Sequence, residues 1–178
     1  GKKEEIYALK FFFIQPKGYS QNVSFKPVLF PNNERFRFSG SVFEYPVYDN
    51  NYLPAKRIHS LTIFNFENQK PAEETKNKVI SDLKKLITLL EKNNTDFYYF
   101  YQLGNCHNRL GDFYKALEAY RQGYRIYQEK KDQRLDFYGE LLLKMSGTLV
   151  YCTDQYIESL KFSKELLALM PEFPDAIF

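Results

Sequence analysis

The chain has 178 residues, the size of one domain or two small ones. Its aromatic content of 18%, from 17 Phe and 15 Tyr without Trp, excludes an intrinsically disordered chain. A net charge of +3 is too small to indicate nucleic-acid binding, and two cysteines are too few for a disulfide scaffold. No apolar run approaches the roughly 20 residues of a membrane span. We therefore expect a globular, cytoplasmic protein with reduced cysteines.

Proline is distributed unevenly and predicts a domain boundary. Six of the eight prolines lie in residues 1–72, and none lies between Pro71 and Pro171. Because proline breaks helix interiors, only the long proline-free stretch is suited to helices. The sequence therefore predicts an α+β fold, with a small β-rich segment over 1–70 and an all-α array over 71–178.

The first part of the chain contains strand signals. Aromatic and β-branched residues favour strands at Ile6–Ile14, Val23–Phe30, 36–38 with 42–43, and 58–66. Pro27 indicates that the second of these is an edge strand or carries a bulge. The last stretch has apolar residues on both faces, so we expect it to lie inside a sheet or beneath another layer.

The second part begins with an amphipathic helix. Pro71 and the two acidic residues that follow Ala72 make a favourable first turn, and apolar residues recur at helical spacing as far as Leu90. We therefore expect a helix over 73–92. The Asn-Asn-Thr-Asp segment at 93–96 should end it and cap the next helix.

Residues 97–130 contain a spaced set of aromatic, apolar and small residues: Phe100, Leu103, Gly104, His107, Ala116 and Tyr120. This spacing resembles the tetratricopeptide repeat, a helical hairpin that stacks on copies of itself. We expect Gly104 and Ala116 to be small because two helices cross there. The alternative is an unrelated pair of helical hairpins.

A weaker second copy occupies 140–173. It aligns Gly147 with Gly104 and Ser159 with Ala116, once an insertion near 131–139 is allowed.

The resemblance to tetratricopeptide repeats implies a ligand surface. In that family the first helix of each repeat lines a concave groove. Here this implies, as peptide- or partner-binding residues, Tyr98, Tyr101, Asn105, Asn108 and Arg109, with Lys144 and Thr148 from the second copy. Asn and Arg can hold a peptide backbone or a carboxylate, and Tyr offers apolar contact. We expect Asn105, Asn108 and Arg109 to be accessible; the alternative is a solvated groove that only packs on a neighbouring domain.

The segment 28–44 resembles the closing part of family 2 glycosyltransferase domains of the GT-A fold. That family has an L-F-R-N strand followed by F-x-G-x-(V/I)-H-E, and this chain has Val28-Leu29-Phe30-Pro31-Asn32 and then Phe38-Ser39-Gly40-Ser41-Val42-Phe43-Glu44. Some bacterial members append tetratricopeptide helices directly. Sublancin-type peptide S-glycosyltransferases are similar in this order of parts.

The sequence departs from this family at positions that carry its chemistry. Phe43 replaces the histidine of the H-E pair, and the metal-binding Asp-x-Asp motif does not occur. The resemblance therefore implies a divalent metal and a nucleotide sugar only for a longer parent protein, and no catalytic, cofactor-binding or metal-binding residue in this chain. Glu44 is a candidate remnant acid of an acceptor site; the alternative is a solvated carboxylate at a strand end.

Two functions remain open. The first is a C-terminal fragment of a family 2 glycosyltransferase, inactive by itself, whose helices bind a peptide or protein acceptor or a second subunit. The second is a stand-alone adaptor that mediates protein–protein interaction without catalysis. Both predict a protein or peptide partner in the groove and no nucleic acid, and both allow a homodimer.

Overall fold

The computed structural model describes residues 5–14, 23–30, 32–40, 42–66, 72–153 and 155–171. Within these residues the strands are β1 (Ile6–Ile14), β2 (Val23–Leu29), β3 (Phe36–Ser39), β4 (Tyr45–Tyr48), β5 (Asn51–Tyr52) and β6 (Ala55–Phe66). The helices are α1 (Ala72–Lys92), α2 (Phe97–Arg109), α3 (Phe113–Lys130), α4 (Leu135–Thr153) and α5 (Tyr156–Leu169). The fold is therefore α+β. The chain forms two compact units, Gly1–Glu74 and Thr75–Phe178.

A three-stranded sheet in the first unit is built around β1. β2 pairs with β1 in the antiparallel direction and β6 pairs with it in the parallel direction, in the order β2-β1-β6. The prediction for Pro27 is confirmed, because β2 is an edge strand of this sheet. Its register also shifts there: Tyr7 faces Leu29, whereas Ala8 faces Pro27. An edge position suits proline, which has no N–H to donate.

Among the strands that the structure describes, β6 is the other edge of this sheet, so the prediction that it lies inside a sheet is wrong. Leu61 and Ile63 are 53% and 37% exposed. The central position belongs to β1, where Ile6, Ala8 and Leu9 are buried. Apolar residues on both faces of a strand do not reveal which strands will flank it, because pairing is decided by distant parts of the chain.

The second sheet is a small antiparallel arrangement in the order β3-β4-β5. The strand expected at 42–43 is absent: Phe43 has a positive φ of 59°, and the chain bends there before β4 begins. Sequence analysis did not predict β4 and β5. Asp49 and Asn50 join them with φ of 49° and 66°, the left-handed backbone that a two-residue hairpin turn requires.

The helices follow the predicted order. The helix predicted over 73–92 is confirmed as α1, and α2 and α3 occupy 97–130 with a turn at Gly111, whose φ is 80°. α2 packs against α3, α3 against α4, and α4 against α5. The residues expected to form an insertion near 131–139 are divided between a short loop at 131–134 and the first turn of α4. α4 therefore begins at Leu135, before the predicted start of the second repeat at residue 140.

The core of the helical unit is formed by aromatic and aliphatic side chains, including Leu86, Phe97, Tyr120, Tyr138, Leu141, Leu142, Met145, Leu149 and Leu166. Burial of such side chains is the main source of stability for a helical array. In the part of the chain that the structure describes, no helix has the length and apolar character needed to cross a bilayer.

Candidate functional site

The start of α2 is held by an ion-pair cluster centred on Arg134. Asp96 caps α2 by accepting a hydrogen bond from the backbone N–H of Tyr98 at 2.9 Å, and its carboxylate also accepts from Arg134 Nη2 at 2.6 Å. Asp132 accepts from Arg134 Nε at 2.8 Å and Nη2 at 2.7 Å. The guanidinium lies 5.0 Å from the ring centre of Phe97. The buried Arg134 therefore ties the beginning of α2 to the loop before α4.

Tyr98 and Tyr101 lie in the core of the helical unit, which corrects their expected place in an open groove. They are 2% and 8% exposed. The ring of Tyr98 packs on Phe137 of α4 with centroids 4.5 Å apart, and that of Tyr101 lies 6.5 Å from Tyr120. Desolvation raises the pKa of Tyr101 well above its ordinary value. Because α4 covers the first turns of α2, the helix face expected to be open is closed there.

Asn105 is half-buried and already engaged. Its Oδ1 accepts a hydrogen bond of 2.9 Å from the Tyr120 hydroxyl, and its Nδ2 donates to Gln102 Oε1 at 3.3 Å. Since Tyr120 is fully buried, Asn105 provides the acceptor that its hydroxyl needs. This side chain therefore has a structural role beside any role in binding.

Asn108 and Thr148 bring the two predicted repeats together. Asn108 Nδ2 of α2 donates to Thr148 Oγ1 of α4 at 3.3 Å, and that hydroxyl donates to the Lys144 carbonyl oxygen at 2.7 Å. Thr148 is buried, whereas Arg109 and Lys144 are exposed. The structure thus assembles one polar surface from Asn108 and Lys144, with Thr148 beneath it, whereas Arg109 is exposed at the end of α2 outside this set.

A cleft of about 730 Å³ opens beside this polar bridge. Six of the residues that line it are Asn108, Phe113, Lys144, Gly147, Thr148 and Tyr151. We call it the α4 cleft. Phe113 and Tyr151 were missed by sequence reasoning, although both are aromatic and, at 42% and 89%, strongly exposed. Tyr151 follows Gly147 by one helical turn, and that spacing is the signal that could have found it.

The α4–α5 contact corrects the expected role of Gly147. A Cβ added at Gly147 would meet no atom within 4 Å, so no helix crosses there. The crossing lies one residue earlier, where the Ser146 hydroxyl is 2.8 Å from that of Ser159 and 2.7 Å from that of Ser163. Ser159 does lie at the crossing and is buried, as Ala116 is in the first hairpin. Gly147 instead faces the α4 cleft.

Glu44 is exposed in the loop that leads into β4, in the unit that does not contain the α4 cleft. Phe43 beside it offers no metal ligand. Among the described residues, no three His, Cys, Asp or Glu side chains are grouped closely enough to hold a metal ion. The described residues of this segment therefore do not fit the divalent metal that the glycosyltransferase resemblance implies for a parent protein.

No protein-family model matches the sequence, and no curated protein matches it either.

Proposed function

We propose that the helical unit is a partner-binding module that takes an extended peptide or protein segment in the α4 cleft. The α4 cleft itself carries the proposal: its volume of about 730 Å³ lies within the usual range for ligand sites, and it combines apolar walls with a few convergent polar groups. In this proposal the helices are a tetratricopeptide-like pair of hairpins.

The charge of this surface indicates the kind of segment it suits. Arg109 and Lys144 are both exposed, one at the end of α2 and one on the α4 cleft wall. Hydrogen bonds from such cations to carboxylates are stronger than those between neutral groups. The preferred partner is therefore a segment with acidic residues, and Asn108 adds polar contact to its backbone.

We further propose that the parent context is a cytoplasmic family 2 glycosyltransferase. The resemblance of 28–44 and its position before the helices support this. The helices would then recruit the acceptor or a second subunit, while the metal and the nucleotide sugar belong to the longer parent. A stand-alone adaptor is the second candidate, and Phe43 in place of the motif histidine favours it.

Selection from a phage-displayed library of random 12-residue peptides tests the binding function. We expect enrichment of acidic peptides, with affinities that fall at least fivefold, by calorimetry, in Lys144→Ala and by a smaller factor in Arg109→Ala, because Arg109 lies at the end of α2 outside the α4 cleft lining. Lys115→Ala is the matched control, because Lys115 is an exposed cation of α3 outside the α4 cleft lining. Failure to enrich any peptide, or equal affinities in all three variants, would overturn the proposal.

A sugar-nucleotide assay bears on the parent context. The chain alone should neither hydrolyse nor transfer a nucleotide sugar with Mn²⁺ present, and metal-dependent turnover by it would contradict this expectation.

Homodimerisation stays a prediction. Ile157 and Leu160 form an exposed apolar part of α5, so sedimentation of a Leu160→Lys variant beside the native chain tests it.

A further inference from the structure

We propose that the α4 cleft contains a subsite, with Gly147 as its floor, for a large apolar side chain that lies next to a carboxylate. The inference rests on the proposed function and names the chemistry of the ligand that the α4 cleft prefers.

The floor of the subsite is helix backbone that no side chain covers. Ser146 and Thr148, on either side of Gly147, are buried, whereas a Cβ at Gly147 would enter open space. Glycine inside a helix costs about 0.5–1 kcal/mol relative to alanine. At Gly104 close packing explains the glycine, but at Gly147 no packing requires it. What the missing side chain does provide is room for a ligand group to approach the helix backbone.

The walls of the subsite are apolar. Phe113, Val150 and Tyr151 line the same α4 cleft and are all exposed. Exposed aromatic side chains gathered at a concave surface offer a large contact area at low conformational cost. An aromatic or large aliphatic ligand group placed above Gly147 therefore leaves water and packs against these apolar walls.

One end of the subsite is cationic. Lys144 precedes Gly147 by three residues, so the two positions are neighbours on one face of α4, roughly 5–6 Å apart. The Lys144 side chain is exposed and lines the α4 cleft. A carboxylate adjacent to the apolar group falls within reach of its ammonium. The ligand class is thus a peptide segment in which a bulky apolar residue adjoins an acidic one.

A small probe tests the subsite without any peptide. The full chain, labelled with ¹⁵N, is titrated with 3-phenylpropionate, which joins an aromatic ring to a carboxylate. We expect amide shifts centred on Gly147 and its neighbours in α4. The alcohol 3-phenylpropan-1-ol, which lacks the carboxylate, should bind at least fivefold more weakly, and Lys144→Gln should reduce 3-phenylpropionate binding by a similar factor.

Gly147→Leu fills the subsite and is the decisive variant. Because a Cβ at Gly147 enters open space, the variant should keep the helical circular dichroism spectrum and thermal midpoint, yet lose the probe-induced shifts. Gly147→Ala serves as a milder second variant with partial loss. Shifts that persist in Gly147→Leu, or that lie outside α4 and its neighbours, would overturn the subsite.

The two proposals fail differently. If selected peptides bind the native chain and Gly147→Leu equally well but lose affinity in Lys144→Ala, the partner-binding function stands and the subsite is wrong. If the probe binds as expected but no peptide is enriched, the subsite stands and the proposed partner is wrong. If neither binds, both are wrong.

Discussion

Gly104 of α2 lies directly against the ring of Tyr120 in α3. A Cβ at Gly104 would be 2.2 Å from Tyr120 Cε1 and 2.4 Å from Cδ1, far closer than carbon atoms can approach. Tyr120 is fully buried, so its ring has no free space to enter. The absence of a side chain at Gly104 is what allows the two helices to meet at this distance.

Gly104→Leu should therefore destabilise the helical unit. Either the helices separate or the Tyr120 ring is displaced, and overpacking of this kind costs about 1–3 kcal/mol or more. Urea denaturation measures the loss. Gly147→Leu is the matched control, since a Cβ at Gly147 meets no atom within 4 Å, and it should leave stability unchanged or slightly higher. Equal unfolding midpoints for the two variants would contradict the assigned crossing.

Asn105→Ala should cost about 1–3 kcal/mol, because it removes the acceptor of the buried Tyr120 hydroxyl. Tyr120→Phe combined with Asn105→Ala removes both partners, so the double variant should lose less than the two single losses together. Chemical denaturation of the four proteins provides this cycle. Additive losses would show that the hydrogen bond contributes nothing.

Arg134→Met should destabilise the chain by about 1.5–3 kcal/mol, since Asp96 and Asp132 lose a charge-assisted partner. Both carboxylates keep some access to water, which limits the loss. Arg125→Met, at an exposed position of α3, is the control and should stay within about 0.5 kcal/mol of the native chain. Thermal unfolding that ranks the two variants the other way would refute the anchoring role of Arg134.

Acid should weaken the same anchor. Burial of Asp132 acts to raise its pKa, but the hydrogen bonds and charge of Arg134 hold that pKa below its ordinary value of 3.8. A carboxyl with a depressed pKa contributes stability that is complete above the unfolded value and is lost as the pH falls through the folded one.

Urea midpoints measured between pH 6 and pH 2 should therefore fall below about pH 4, and less steeply in Asp132→Asn. Parallel curves for the two proteins would mean that this carboxylate is not linked to folding.

Sequence reasoning was most accurate where local spacing decides the structure. The α2–α3 hairpin follows from the positions of Gly104 and Tyr120, and the edge position of β2 follows from Pro27. Sequence reasoning was wrong where segments distant in the chain decide which residues are buried. The burial of Tyr98 depends on how α4 packs over α2, which no pattern within α2 encodes.

Gly147 shows a different limit. An insertion before α4 left the alignment of the two repeats uncertain by a residue or more. Matching Gly147 to Gly104 therefore placed the α4–α5 crossing one residue too late. The real crossing uses Ser146 against Ser159, a pair joined by a hydroxyl hydrogen bond rather than by a missing side chain. Phe113 was overlooked because exposure at a cleft has no periodic signature, whereas Tyr151 could have been found from its spacing of one helical turn from Gly147.

Amide chemical-shift mapping of a selected peptide on the ¹⁵N-labelled chain tests the central claim most directly. The proposed module predicts shifts confined to the end of α2, around Asn108 and Arg109, and to α4 from Lys144 to Tyr151. Shifts in the β unit or along the exposed face of α5, with these residues unaffected, would contradict the account.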